Sequence, residues 1–134
     1  MQLSEAIRLG AMLRPQARGW LVRDVFVPTR GWRGWLGRGK MTTGTCALGA
    51  ALEAVGMAAD LGSVWHMWPW TLNRSELCPV CPVCGIARMA SGIIWHLNDS
   101  HDWTREQIAD WVATIEPRED TKPIESTVVV AVVV

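Results

Sequence analysis

Residues 78–116 read CPVCPVCGIARMASGIIWHLNDSHDWTREQIADWVATIE, and this stretch combines metal-ligand spacing with a well-delimited helix. Cys81 and Cys84 are separated by two residues, so both thiolates can point at one ion. The next residue is a glycine, which supplies the positive φ of a tight turn. His96 and His101 complete the spacing C-x2-C-x11-H-x4-H. Because zinc takes four nitrogen or sulfur ligands in a tetrahedron, we predict that these four side chains bind zinc.

Cys78 leaves a second choice of ligands open, because it forms an overlapping Cys-Pro-Val-Cys pair with Cys81. We favour Cys81 with Cys84, since a glycine follows Cys84 and Pro82 stiffens the turn. The competing interpretation is that these cysteines are buried or joined by a disulfide. A catalytic zinc is less favoured than a structural one, because two cysteines and two histidines leave no open coordination position.

Residues 81–101 resemble a Cys2His2 zinc finger, and the resemblance implies a structural zinc and a helix that carries His96. Ile93 matches the buried aliphatic residue of the finger's helix, whereas Arg88 stands where the finger has an aromatic side chain. The positions that read bases in DNA-binding fingers hold Met89, Gly92 and Trp95. None of these side chains can make a bidentate contact to a base edge, so we do not expect sequence-specific DNA binding.

A helix is predicted to begin after Thr104 and to end before Pro117. Thr104 is the expected N-cap, and Gln107 completes a capping box. Ile108 and Trp111 recur at helical spacing on its apolar side, while Arg105 and its acidic neighbours lie mostly on the other. The phrase HLNDSHDWTREQIADWV, with LSEAIRLGAML and CALGAALEAVG, also resembles small uncharacterised proteins of bacteria and their phages, which implies a phage association but no activity.

The remaining chain predicts further helices and a small sheet. We expect Ser4 to cap a first helix that ends at Pro15, and Thr45 to cap a helix over Cys46 to Val55. The predicted strands are Trp20 to Val27 and the apolar run Val128 to Val134. Residues 60–77, with their tryptophans, are expected to form an irregular buried loop or a partner-facing aromatic patch.

The fold class that follows is α+β and mainly helical, with three to four helices, a zinc knuckle and a small sheet that includes the C-terminal strand. We assign residues 1–134 to one domain, with 78–116 as the knuckle and capped helix and 117–134 as a C-terminal arm. An exposed valine strand invites edge pairing, so we expect it to pair with Trp20 to Val27 or with another copy of the chain. The latter predicts a homo-oligomer.

The composition is that of a globular protein, with 49% hydrophobic and 19% charged residues and a net charge of zero. No apolar run approaches the ~20 residues of a membrane span, and no signal peptide is recognisable. We therefore expect a cytoplasmic protein, or a virion component if it is a phage structural protein. In a reducing compartment, four cysteines at this spacing favour zinc over disulfides.

Positive charge is concentrated in residues 14–40, which hold seven basic side chains against Asp24 alone. Six residues of this segment are candidates for binding single-stranded nucleic acid through phosphate contacts and stacking: Arg30, Trp32, Arg33, Trp35, Arg38 and Lys40. The same side chains could bind acidic protein surface, or pack over the acidic remainder of the domain.

The sequence suggests three functions. The favoured one is a non-enzymatic, zinc-stabilised interaction or assembly protein. The second is a protein that binds nucleic-acid backbone or single strands through residues 14–40. The third is a cysteine hydrolase that uses Cys46, at a helix N-terminus, with His66 as its base. No matched base or orienting motif surrounds Cys46 in the sequence, so the hydrolase is the least favoured.

Overall fold

The computed structural model describes residues 1–28, 39–72 and 78–118, which form a mainly helical α+β fold. In chain order the elements are α1 (Leu3–Ala11), β1 (Val22–Pro28), β2 (Gly39–Thr45), α2 (Ala47–Ala54), α3 (Leu61–Met67), α4 (Pro69–Leu72), α5 (Ala90–Ser100) and α6 (Arg105–Ile115). The predicted class is thus confirmed, but the predicted three to four helices were too few. Within the described residues, no helix is long and apolar enough to cross a membrane.

The sheet of the described residues is an antiparallel pair, with Val22 opposite Thr45 and Pro28 opposite Gly39. The predicted strand over Trp20 to Val27 corresponds to β1. Its partner β2 was missed, because the sequence GKMTTGT is rich in glycine and threonine and has one large apolar residue. The prediction of a C-terminal strand in the sheet is not borne out: the strands of the described residues are β1 and β2, and Val128 to Val134 lie outside those residues.

Helix α2 begins one residue later than predicted. Thr45 is the last residue of β2 and does not cap the helix; the N-cap is Cys46, whose Sγ accepts a hydrogen bond from the Gly49 N–H. The helix is buried almost throughout, and a Cβ on Gly10 of α1 would lie 1.8 Å from the carbonyl oxygen of Ala50. The two helices therefore pack backbone against backbone, which only glycine permits at this position.

Residues 61–72 form the short helices α3 and α4, where an irregular loop was expected. Trp68, between them, is buried, and its Nε1–H donates to the carbonyl oxygen of Met1 at 3.1 Å. Trp65 on α3 is exposed instead. The tryptophan cluster is therefore divided between core and surface, and the helices are too short to show a clear apolar period in the sequence.

Helix α1 also departs from its predicted N-terminus. Ser4 lies inside the first turn, and its backbone N–H and hydroxyl both donate to the carboxylate of Glu116. The carboxylate accepts a hydrogen bond from a first-turn N–H that has no partner within the helix. Its negative charge also interacts favourably with the positive end of the α1 dipole. Met12 and Leu13, which follow the last residue of α1, are exposed. The N-terminus of α1 is thus capped from the far end of the chain.

The core lies where α1, α2, α5 and α6 meet. Its largest fully buried apolar side chains are Leu3, Ile7, Leu48, Leu52, Val64, Leu72, Ile93, Ile94, Leu97, Ile108 and Val112. Burying each such side chain contributes about 1.5–3 kcal/mol to folding. Because α5 and α6 supply almost half of this set, packing in the core fixes α5, the helix that follows a cysteine-rich hairpin bridged between Val80 and Ala87.

Candidate metal centre

The two ligand cysteines lie in a short hairpin that precedes α5. The Cys81 N–H donates to the carbonyl oxygen of Ile86 at 2.7 Å. The Gly85 N–H donates to the carbonyl oxygen of Cys81 at 2.9 Å. Gly85 has a φ of 80°, so the predicted need for glycine after Cys84 is confirmed. These backbone bonds close the turn and hold both thiols on one side of it.

Helix α5 and its C-cap supply the two histidines. Ile93 and Leu97 of α5 are fully buried, and the predicted burial of Ile93 is thus confirmed. His96 lies on the half-buried flank of the same helix, and His101 is the C-cap. Packing of the apolar face of α5 therefore decides which way the His96 ring faces.

The structure brings the four predicted ligands together. Their ligand atoms all lie within 4.8 Å of one another. The Nε2 atom of His96 lies 3.2 Å from Cys84 Sγ and 2.9 Å from His101 Nε2. Cys78 is exposed and outside this cluster, so the geometry favours Cys84 as the partner of Cys81. The cluster of Cys81, Cys84, His96 and His101 could hold a metal ion.

The surroundings favour the protonation states that bind metals. Burial acts to raise the pKa of the Cys81 thiol, but the backbone N–H groups of Cys84 and Val83 outweigh it and hold that pKa below its ordinary value. Partial burial and the charges of His101 and Arg88 hold the pKa of His96 below its ordinary value. A thiolate and a neutral imidazole, the forms that coordinate metals, are therefore both promoted.

The backbone donors at Cys81 were missed from the sequence. The Val83 N–H lies 3.4 Å from Cys81 Sγ, a hydrogen bond that depends on the closed turn. Backbone N–H groups carry no side-chain signature, and only the spacing Cys-x2-Cys-Gly could have indicated them.

The basic segment is only partly described. Lys40 is exposed on β2, whereas the other candidates, at positions 30, 32, 33, 35 and 38, lie outside the described residues. Arg14 pairs with Glu53 at 2.6 Å, and Arg18 pairs with Asp102. These two cations of residues 14–40 are therefore paired within the fold, whereas the three interpretations of the six candidate side chains all stay predictions.

Cys46 has the properties of a core residue. Its side chain is fully buried, and burial raises the pKa of its thiol. His66, the suggested base, is exposed on α3. A buried, protonated thiol is a poor nucleophile, so these features disfavour the hydrolase hypothesis.

Comparison with known protein families, curated proteins and solved structures finds no match. The resemblance to a Cys2His2 finger consequently rests on the four ligands, their spacing and their convergence in the structure.

Proposed function

We propose that this chain is a non-enzymatic interaction protein whose cysteine-rich hairpin is held in place by a structural zinc ion. The observation that carries the proposal is the convergence of two thiols and two imidazoles within 4.8 Å. Sulfur and nitrogen donors in this ratio suit zinc better than calcium or magnesium, which prefer oxygen ligands.

The ligand distances support a tetrahedral site. Ideal zinc–ligand bond lengths would place two nitrogens about 3.3 Å apart and a sulfur and a nitrogen about 3.6 Å apart. The observed separations are 2.9 Å for the two histidines and 3.2 Å for Cys84 and His96. All four ligand atoms lie within 4.8 Å of one another, and the longest separation in an ideal site of this kind is the sulfur–sulfur distance of about 3.8 Å. Small side-chain movements would therefore complete the tetrahedron.

The ligand set also supports a structural role over a catalytic one. Four protein ligands leave no coordination position for a substrate or for an activated water. The zinc would tie the hairpin to α5, and so to the core. Several apolar side chains of the hairpin would remain exposed, which is the property expected of a contact surface.

Elemental analysis of the purified full-length protein tests the zinc directly, and we expect one zinc per chain. Replacement by Co2+ should give the intense visible absorption of a tetrahedral sulfur–nitrogen site. Cys84→Ser should lose zinc and lower the melting temperature by on the order of 10 °C, because metal binding contributes to folding.

Cys78→Ser is the matched control, since Cys78 is an exposed cysteine of the same hairpin outside the cluster. It should retain both the zinc and the melting temperature. Zinc well below one per chain, or an unchanged melting temperature in Cys84→Ser, would contradict the proposal.

A nucleic-acid-binding function is the second candidate, and the exposure of Lys40 on β2 supports it. In the sequence, three arginines and two tryptophans stand at positions 29–38, directly before the strand that carries this lysine. Binding of single-stranded DNA should then weaken steeply with salt, and Trp35→Ala should weaken it by about 1–3 kcal/mol. Absence of a gel shift at low salt would exclude this candidate and favour protein contact.

A further inference from the structure

The cysteine-rich hairpin presents more apolar surface than its fold requires. Val80, Val83 and Ile86 of the hairpin are 57%, 51% and 38% exposed, and Met89, the N-cap of α5 next to it, is 40% exposed; we call these four side chains the apolar rim. The cysteines between them turn towards the metal cluster, and the hairpin's backbone bonds are internal. Apolar side chains concentrated on a rigid turn mark a contact surface more reliably than scattered ones.

A single positive charge accompanies the apolar rim. Arg88 is the only charged residue between Cys78 and Asn98. Its side-chain stem packs over α5, since a Cβ on Gly92 would lie 3.4 Å from Arg88 Cβ. Within residues 1–28, 39–72 and 78–118 no ion pair is formed by Arg88. The surface therefore suits an occupant that is apolar and carries negative charge.

We propose that residues 119–134 of the same chain dock on the apolar rim beside Arg88. This segment begins with Glu119 and Asp120, includes Lys122 and Glu125, and ends in the seven apolar residues 128–134, so its acidic side chains outnumber its single basic one by two. It thus carries both properties that the surface requires. The inference rests on the proposed function in that the zinc would fix the hairpin that forms the surface.

The length of the segment permits this docking. The last described residue is Arg118, and the apolar run begins ten residues later. An extended chain of that length spans about 33 Å. A folded domain of this size is on the order of 35 Å across. The segment can therefore reach an exposed face of the molecule without help from another chain.

Docking within one chain is favoured over pairing of two apolar rims. A segment linked to its site by a short connection has an effective concentration in the millimolar range, which a second copy rarely reaches. In a two-fold dimer the same patch would face itself, and the two Arg88 side chains would repel each other. Covering the seven apolar residues also removes a segment that would otherwise promote aggregation.

Photo-cross-linking of the full-length protein tests the proposal. A benzophenone amino acid replaces Val83, and the same amino acid in place of Met12, which is 81% exposed on the C-cap of α1, is the matched control. Unlabelled and 15N-labelled chains are mixed before irradiation, so that mass spectrometry separates links within a chain from links between chains. Trypsin should release residues 119–134 as one peptide, because Lys122 precedes a proline.

We expect links from position 83 to residues 119–134 within one chain, and few from position 12. Arg88→Glu should lower their yield about tenfold, which corresponds to ~1.4 kcal/mol. Links between differently labelled chains, or a yield at position 83 no higher than at position 12, would overturn the proposal. Zinc content is measured on the same samples: zinc without these links refutes the docking alone, whereas links without zinc refute the zinc proposal alone.

Discussion

At the scale of single residues, the clearest departure from sequence expectation is Arg105. It was placed on the polar side of its helix, yet it is only 6% exposed. Its guanidinium donates to the hydroxyl and carbonyl oxygens of Thr45 and to the carbonyl oxygens of Ala11 and Arg14. Burial holds its pKa below the ordinary value. The charge is stabilised by carbonyl oxygens near the C-terminus of α1, where a cation is favoured.

Arg105→Met should therefore destabilise the protein by about 3 kcal/mol or more, because it leaves several buried carbonyl groups without donors. Chemical denaturation measures the change. Arg23→Met is the control: Arg23 is exposed on β1, and its replacement should change stability by less than about 0.5 kcal/mol. Equal effects of the two substitutions would show that the contacts of Arg105 contribute nothing beyond a surface charge.

At the scale of elements, replacing a glycine by alanine should lower the stability of the protein in one helix and raise it in another. Gly10→Ala places a Cβ against the backbone of Ala50 and should destabilise the α1–α2 packing by about 1–3 kcal/mol. Gly92→Ala, in α5, meets only the ordinary contact of the Arg88 side chain and should stabilise the protein by about 0.5–1 kcal/mol, through helix propensity. Thermal unfolding of the two variants compares them directly. Stabilisation by Gly10→Ala would mean that α1 and α2 are farther apart.

The capping box of α6 provides a second test at this scale. The Thr104 hydroxyl accepts from the Gln107 N–H, and the Gln107 side chain accepts from the Thr104 N–H. Thr104→Ala should cost about 1 kcal/mol of stability in urea denaturation, whereas Thr104→Asn should retain most of it. Both substitutions remove the same methyl group, so a similar loss in the two would assign the effect to packing instead of capping.

At the scale of the whole molecule, stability should depend on pH through the metal cluster. Because the pKa of His96 is lowered in the folded protein, the unfolded chain binds a proton more readily. The contribution of this histidine is therefore complete above about pH 6.5, the ordinary pKa, and is lost as the pH falls through the folded value. Zinc binding requires the neutral ring and acts in the same direction.

We expect the melting temperature of the zinc-loaded protein to fall between about pH 7 and pH 5, more steeply than that of chelator-treated protein, which loses only the proton-linked part. His96→Gln should weaken the dependence, and His66→Gln, at an exposed histidine outside the cluster, should not. Melting curves with the same steepness in zinc-loaded and chelator-treated samples would contradict zinc ligation by this histidine.

The sequence by itself determined the features that depend on near neighbours. The capping box of Thr104 and Gln107, the turn at Gly85 and the two ligand pairs, Cys81 with Cys84 and His96 with His101, all follow from spacings of a few residues. A hydrogen bond or a ligand pair across such a spacing forms in much the same way in any surrounding fold, so the local pattern is sufficient.

Only the tertiary structure decided the features whose partners are distant in the chain. Glu116 caps α1 across 112 residues, and Arg105 reaches Thr45 across 60. Strand β2 has a weak local pattern and forms through its pairing with β1. In each case the free energy comes from a contact that exists only after the helices have packed. A sequence pattern shows which groups need partners, but the packing of the helices selects the partners.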